Sequence, residues 1–355
     1  MSMATKRAED FLLGKERRIK PKHGRAVLSK RTGRTSTSAN ASSAPNRTQG
    51  TILTRPNPPL KKNTALVNIV SAAKKSPEVM VKIGRRKSAN SKGVKGVASH
   101  IDYISRNGKI ELEDNHGLKI SGKEVKAIAS NWTKAGMIHT QSTKREALNL
   151  VLSMPAQVDP EKVRDAARDF AQTLFKGHEY VFALHTDTDH PHVHIAVTMQ
   201  NERGERLNPR KNDLYQWRLL FAEKMRDQGV ECAATKRVHR AQFTKSEKSE
   251  LWHLKNRQSH SYIEKARFEN LKDALKNNKR PVHPFLKEQL QSRNFVVSEY
   301  KTLARLLYQE NMKTEARILS KMAKEMKNKP PITQAQAQFD KQTRQREPRQ
   351  EERTL

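Results

Sequence analysis

The residues best suited to chemistry lie within ten positions of one another: His185, Asp187, Asp189, His190, His192 and His194, in the run HTDTDHPHVHI (185–195). Side chains alternate along a strand, so His192, His194, Ala196 and Thr198 share one face of 192–200, and Val193, Ile195, Val197 and Met199 take the other. The apolar face fixes the register. Two imidazoles at i and i+2 stand about 6.5–7 Å apart at Cα, near enough for both rings to reach one ion. If EYVFALH (179–185) pairs with 192–200 as a hairpin, the six-residue connection puts His185 beside His192 and makes a three-histidine site. Such a site leaves coordination positions open for a phosphate oxygen and water. A carboxylate at Asp187, or alternatively Asp189, is placed to orient a ligand imidazole through its second nitrogen or to meet a nearby hydroxyl. His190 is expected outside the set of ligands. Imidazole ligands favour Mn, Zn, Co or Ni over Ca, while Mg²⁺ competes through its cellular abundance, so a divalent ion, Mg or Mn in turnover, is expected.

The elements that must hold these residues read as strands mixed with helices. VMVKI (79–83), ALNLVLSMP (147–155), 179–185 and 192–200 are predicted strands, and GRRKSANSKG (84–93) is a basic loop. VASHIDYISRNG (97–108) reads as a short helix or turn closed by Asn107-Gly108. Ser121 and Glu124 predict a capping box ahead of a helix with Val125, Ile128, Ala129 and Trp132 on one side and Gly136 as its stop. Asp159-Pro160 opens a helix with Val163, Ala166, Ala167, Phe170 and Leu174 inward, and 213–229 is a further helix. Hairpin-like links among the strands predict an α+β layer rather than a doubly wound parallel sheet.

Composition sets the partner. The chain of 355 residues carries a formal charge of +33 with 35% hydrophobic and 5% aromatic residues. A polyanion is the expected partner, nucleic acid before membrane, because no apolar run reaches the ~18 residues of a span and no signal-peptide stretch opens the chain. A cytoplasmic protein is expected. A single cysteine, Cys232, excludes an internal disulfide and a thiolate-cluster metal site. Residues 1–77 read as a basic, largely disordered arm, with 17 Lys/Arg against three acidic residues over 1–75. Residues 78–238 form the expected catalytic domain, 239–327 a charged helical region, and 328–355 a disordered Arg/Gln-rich tail.

The segment HTDTDHPHVHI resembles the histidine motif of conjugative relaxases in the HUH endonuclease superfamily, and its HPHxH form is similar to that of the T-DNA border endonucleases within the P-type mobilisation group. DYISRNGKIEL (102–112) resembles the nucleophile motif of that family and puts the nucleophile on Tyr103; LVLSMPAQVDPEKV (150–163) resembles the strand, Ser-x-Pro turn and helix between the two. The nucleophile preceding the histidines is the relaxase order. The resemblance covers about residues 78–250. It implies a five-stranded antiparallel sheet with helices packed on one side, the fifth strand falling near 205–210 or 110–120. It also implies a metal-dependent nicking endonuclease and strand transferase that forms a 5′-phosphotyrosyl adduct at a plasmid transfer origin, pilots the strand in conjugation and rejoins it. Catalytic residues would be Tyr103, Asp187 and Asp189, metal ligands His185, His192 and His194, and DNA contacts Arg85, Arg86, Lys87, Arg106 and Ser153. Single-stranded and supercoiled plasmid DNA, an accessory relaxosome DNA-binding protein and a type IV secretion coupling ATPase are the implied partners, the protein leaving the donor cytoplasm with the strand. The alternatives are a replication initiator or transposase of the same superfamily, or a non-catalytic basic nucleic-acid-binding protein with a structural metal.

Overall fold

The computed structural model describes residues 1–13, 58–84, 93–240, 262–329 and 331–351, with short pieces at 53–54, 242, 254 and 257. The chain divides into two compact units: Arg17–Ala234, and Met1–Glu16 together with Thr235–Leu355.

The first unit is built on strands β1 (Leu53–Thr54), β2 (Met80–Ile83), β3 (Leu112–Asp114), β4 (Lys119–Ile120), β5 (Ala147–Ser153), β6 (Tyr180–His185), β7 (His192–Thr198) and β8 (Arg206–Leu207). Its helices are α2 (Thr64–Ala73), α3 (Gly93–Ile104), α4 (Val125–Lys134), α5 (Pro160–Leu174) and α6 (Lys211–Asp227); α1 (Met3–Leu13) belongs to the other unit. Six strands form one sheet in the order β2-β5-β7-β6-β3-β4, each pair antiparallel. The alternation seen in the sequence sets the register. Val193, Ile195 and Val197 stand opposite Leu152, Leu150 and Leu148 of β5, and opposite Leu184, Phe182 and Tyr180 of β6. All but Leu184 are buried. Helices α5 and α6 pack behind the sheet, and Phe170, Phe175, Phe221 and Trp217 meet edge to face with ring centroids 5.8–6.1 Å apart. The Asp159 carboxylate accepts from the Glu161 N–H and so caps α5. At α6 the Asp213 carboxylate reaches back to the Arg210 N–H, 2.7 Å away.

The expected α+β architecture holds, with differences of detail. There are six strands rather than five, because 112–120 forms a small hairpin on the sheet edge; 206–207 instead pairs in parallel with Leu53–Thr54. Helices are not confined to one side. Val181, Ala183 and Ala196 share the histidine face, and Val97, Ile101, Ile104, Val125, Ile128 and Trp132 of α3 and α4 bury them. An apolar half-face needs such cover, which leaves only its histidine end open. The capping box at Ser121 does not form through side chains: Gly122 (φ 57) turns the chain out of line, a short 3₁₀ turn at Gly122–Glu124 precedes α4, and Ser121 makes no side-chain cap.

The second unit contains α1 (Met3–Leu13), α7 (Tyr262–Lys276), α8 (Leu286–Gln309), α9 (Lys313–Asn328) and α10 (Gln334–Glu351). Ala4, Ala8, Phe11 and Leu12 repeat at helical spacing and are all buried. Phe11 meets Tyr300 of α8 edge on at 5.8 Å. Arg7 donates two hydrogen bonds to Glu299, at 2.8 and 2.5 Å, and the Ala4 N–H donates to Glu310 at 2.9 Å. The expected arm 1–77 therefore contains two packed helices, α1 and α2. Averaging charge over 75 residues hid two short apolar patterns, and the polar run TSTSANASSAPN lies outside the described residues. The expected structureless tail is likewise helical at Gln334–Glu351. Its start carries a capping box that the sequence reading passed over: the Gln336 N–H donates to the Thr333 hydroxyl and the Thr333 N–H to the Gln336 side chain, both at 3.1 Å. Phe339 is buried and Arg280 pairs with Asp340. Among the described residues no helix is long and apolar enough to cross a membrane.

Candidate active site

At the open end of the sheet, β6 finishes as β7 begins, and their antiparallel register sets His185 directly opposite His192. Ala183 faces His194 in the same ladder, so His185, His192 and His194 converge on one face, as period-two alternation requires. Their ring centroids are 4.6–5.2 Å apart, and one nitrogen from each lies within 4.8 Å of the others.

The donor chemistry fits a metal ion. The His185 ring is fully buried; its Nε2 donates to the Ile104 carbonyl at 2.6 Å. The remaining Nδ1 is buried with no hydrogen-bond partner. A buried lone pair without a donor is costly unless something occupies it. His192 Nδ1 donates to the His190 carbonyl at 3.0 Å, which leaves Nε2 free to bind. Burial pushes the His194 imidazole down to about 3, helped by the neighbouring rings, and burial lowers His185 as well. Both are therefore neutral at physiological pH, the form that binds a cation.

Tyr103 enters from α3. Its ring stands edge on to His194 at 5.9 Å and is 52% exposed, so the phenol is open to a large substrate while lying against the histidine set. The helix ends immediately after it. Arg106, Asn107 and Gly108 follow with φ 53, 59 and 82, three successive left-handed residues. Gly108 has no alternative here, since a Cβ would come within 2.5 Å of the Gly122 carbonyl oxygen. The reversal swings the Arg106 guanidinium over the Tyr103 ring, 5.2 Å from its centroid. Arg106 also pairs with Asp187 from the β6–β7 loop, and this pairing holds the Asp187 carboxyl below the usual range.

The expected residues thus come together unevenly. Tyr103, Arg106, Asp187 and the three histidines form one cluster. Asp187 engages a guanidinium, where the sequence reading put it on an imidazole or the tyrosine hydroxyl. Asp189 and His190 are exposed in the loop. Ser153 is buried opposite His192 at the end of β5. Arg85, Arg86 and Lys87 lie outside the described residues. One neighbour was missed: His100, one helical turn before Tyr103, is nearly buried and stacks on its ring at 6.3 Å and 17°. The i, i+3 spacing in HIDY (100–103) carries that signal.

Residues 103–230 match the model of the MobA/VirD2-like nuclease domain of relaxases. The T-DNA border endonuclease VirD2 of Rhizobium radiobacter is 24% identical over 129 residues, covering 32% of this chain and 30% of that protein. VirD2 of Agrobacterium fabrum is 23% identical over 171 residues, covering 42% and 38%. The 43 kDa relaxation protein of Salmonella typhimurium is 30% identical over 130 residues, covering 33% and 35%. The match spans 30–40% of the length of these relatives. The family model's span begins at the tyrosine and runs through the histidine strand and α6. Over residues 103–230 the chain is therefore similar to the MobA/VirD2-like nuclease domain of relaxases.

Proposed function

We propose that this chain is a DNA relaxase that nicks one strand at a plasmid transfer origin through Tyr103 and remains attached to the new 5′ end. The observation that carries this reading is the half-open Tyr103 phenol lying against three converging histidines, one of which keeps a buried, unpartnered nitrogen. The phenolic oxygen attacks phosphorus and the bond from phosphorus to the 3′ oxygen breaks. The phenol proton passes to solvent, and the departing 3′ oxygen takes up a proton. One phosphodiester is exchanged for another, so the 3′-OH can later attack the adduct and reseal the strand without ATP.

Bound by His185, His192 and His194, a divalent ion such as Mg²⁺ or Mn²⁺ would polarise the scissile phosphate as a Lewis acid. Arg106 presents a guanidinium beside the tyrosine, where its fork suits a phosphate oxygen pair. Asp187 fixes that guanidinium and so acts on the phosphate through Arg106. His100 backs the phenol ring and limits its rotation. Arg85, Arg86 and Lys87 are proposed as further phosphate contacts, with Ser153 beside His192. Piloting of the strand, an accessory DNA-binding protein and a coupling ATPase belong to the same proposal. The export signal would be the tail 328–355.

The test is a covalent-adduct assay on supercoiled plasmid carrying a candidate origin. Added Mg²⁺ or Mn²⁺ should produce a detergent-stable protein–DNA species, and peptide mapping should place the DNA on Tyr103. Tyr103→Phe should abolish the adduct with DNA affinity nearly intact. An adduct on Tyr180 or Tyr215, or cleavage surviving in Tyr103→Phe, overturns the assignment.

A further inference from the structure

Helix α9 (Lys313–Asn328) carries Lys313, Arg317, Lys321, Lys324 and Lys327, all exposed and none in an ion pair among the described residues. At 100° per residue these five fall within an arc of about 120°. The helix's two acids, Glu315 and Glu325, fall outside that arc. Ala316, Leu319, Ala323 and Met326 are buried on another side of the helix, so packing against α8 holds the stripe in place. Of the two acids of α8, Glu299 is engaged by Arg7 and Glu288 stands in its first turn; Glu310, just past the end of α8, accepts from the Ala4 N–H. Helix α7 differs, for its Lys265, Lys272 and Lys276 each have an acid three or four residues away, Glu269 for the first two and Asp273 for the third, whereas Lys313, Arg317 and Lys324 have none at that spacing within α9.

We propose that this face of α9 is a nucleic-acid-binding surface in the helical unit, separate from the nuclease residues, that grips the phosphate backbone without reading sequence. The stripe extends about 21 Å along the helix with a charge every 4–6 Å, and duplex DNA presents one negative charge per about 1.7 Å of its axis. A lipid surface fits poorly. The apolar residues of α9 are committed to packing, leaving no apolar face to enter a bilayer. A protein partner would need an aromatic or aliphatic anchor within the stripe, and the five positions supply none.

The test compares two variants of the full chain on random-sequence duplex over a range of NaCl. Lys313→Gln/Arg317→Gln/Lys324→Gln removes three stripe charges, and Lys265→Gln/Lys272→Gln/Lys276→Gln removes three from α7; Gln keeps helix propensity in both. The stripe variant should lower the slope of log affinity against log salt by about 2.7, from about 0.9 per phosphate contact, while the α7 variant changes it far less. Circular dichroism and Tm should match wild type in both, separating lost contacts from lost fold. Equal slopes in the two variants, or no change in either, overturn the proposal. So does a stripe variant that keeps its DNA slope but loses binding to vesicles of phosphatidylserine and phosphatidylcholine, or to a polyglutamate peptide. Because binding is read without cleavage, the result does not depend on Tyr103 being the nucleophile.

Discussion

Asp187 illustrates how a side chain's partner decides its role. Two residues past His185, it could orient an imidazole, in which case its loss would weaken metal binding by the 10–100-fold typical of such support. Its pairing with Arg106 leads to a different expectation. Asp187→Asn should leave metal affinity within about twofold while lowering kcat for nicking about tenfold. Arg106→Gln should do the same, and the double variant should be no worse than the worse single one, as expected of two groups acting as a unit. Arg106→Lys should recover only part of the rate, because an ammonium cannot reproduce the planar fork. Isothermal titration with Mn²⁺ beside single-turnover nicking separates the cases. A parallel loss of metal affinity in Asp187→Asn would return the carboxylate to the imidazoles. His185→Ala, by comparison, should lose metal binding and cleavage together, since its buried nitrogen has no other partner.

At the level of elements, the site was readable because alternation and hairpin length are local rules. The apolar run Val193, Ile195, Val197 fixes which way His192 and His194 point, and a six-residue connection leaves His185 opposite His192. What the sequence did not show depends on contacts far apart in the chain. The Arg106–Asp187 pair joins residues 81 apart, and the cover of α3 and α4 over the histidine face follows from how much of that face is apolar once three strands are assembled. The Asn107-Gly108 signal was legible as a helix stop; that it also aims Arg106 at the tyrosine was not. Gly108→Ala tests this linkage. Its φ of 82 and the 2.5 Å approach to the Gly122 carbonyl leave no room for a methyl group, so thermal unfolding should show a loss of at least about 1–2 kcal/mol. Nicking should fall further than stability alone accounts for, with metal affinity retained. An unchanged Tm would mean that the turn is slack and does not position Arg106 against Tyr103.

For the molecule as a whole, composition gave no sign of the helices packed near each end. Net charge marked residues 1–77 as an arm, yet Leu12 is completely buried in the helical unit. Leu12→Ala should cost that unit about 2–5 kcal/mol, the usual range for truncating a buried leucine. Amide hydrogen exchange along Val296–Leu307 of α8 should accelerate, while cleavage of a short oligonucleotide by the nuclease residues should hardly change. Exchange in α8 identical to wild type would restore the reading of a free arm. The C-terminal helix carries a similar lesson, for its capping box at Thr333 and Gln336 was visible in a stretch whose overall polarity suggested no structure.

The docking of α1 on α8 also sets a schedule. Arg7 and Glu299 are 292 residues apart, and at translation rates of about 5–20 residues per second the helix waits roughly 15–60 s on the ribosome before its partner exists. During that interval Ala4, Ala8, Phe11 and Leu12 have no other surface within the helical unit to cover them. The six-stranded sheet, whose strands lie between Met80 and Thr198, is made in the meantime. The helical unit is thus started before the six-stranded sheet and can be completed only after it.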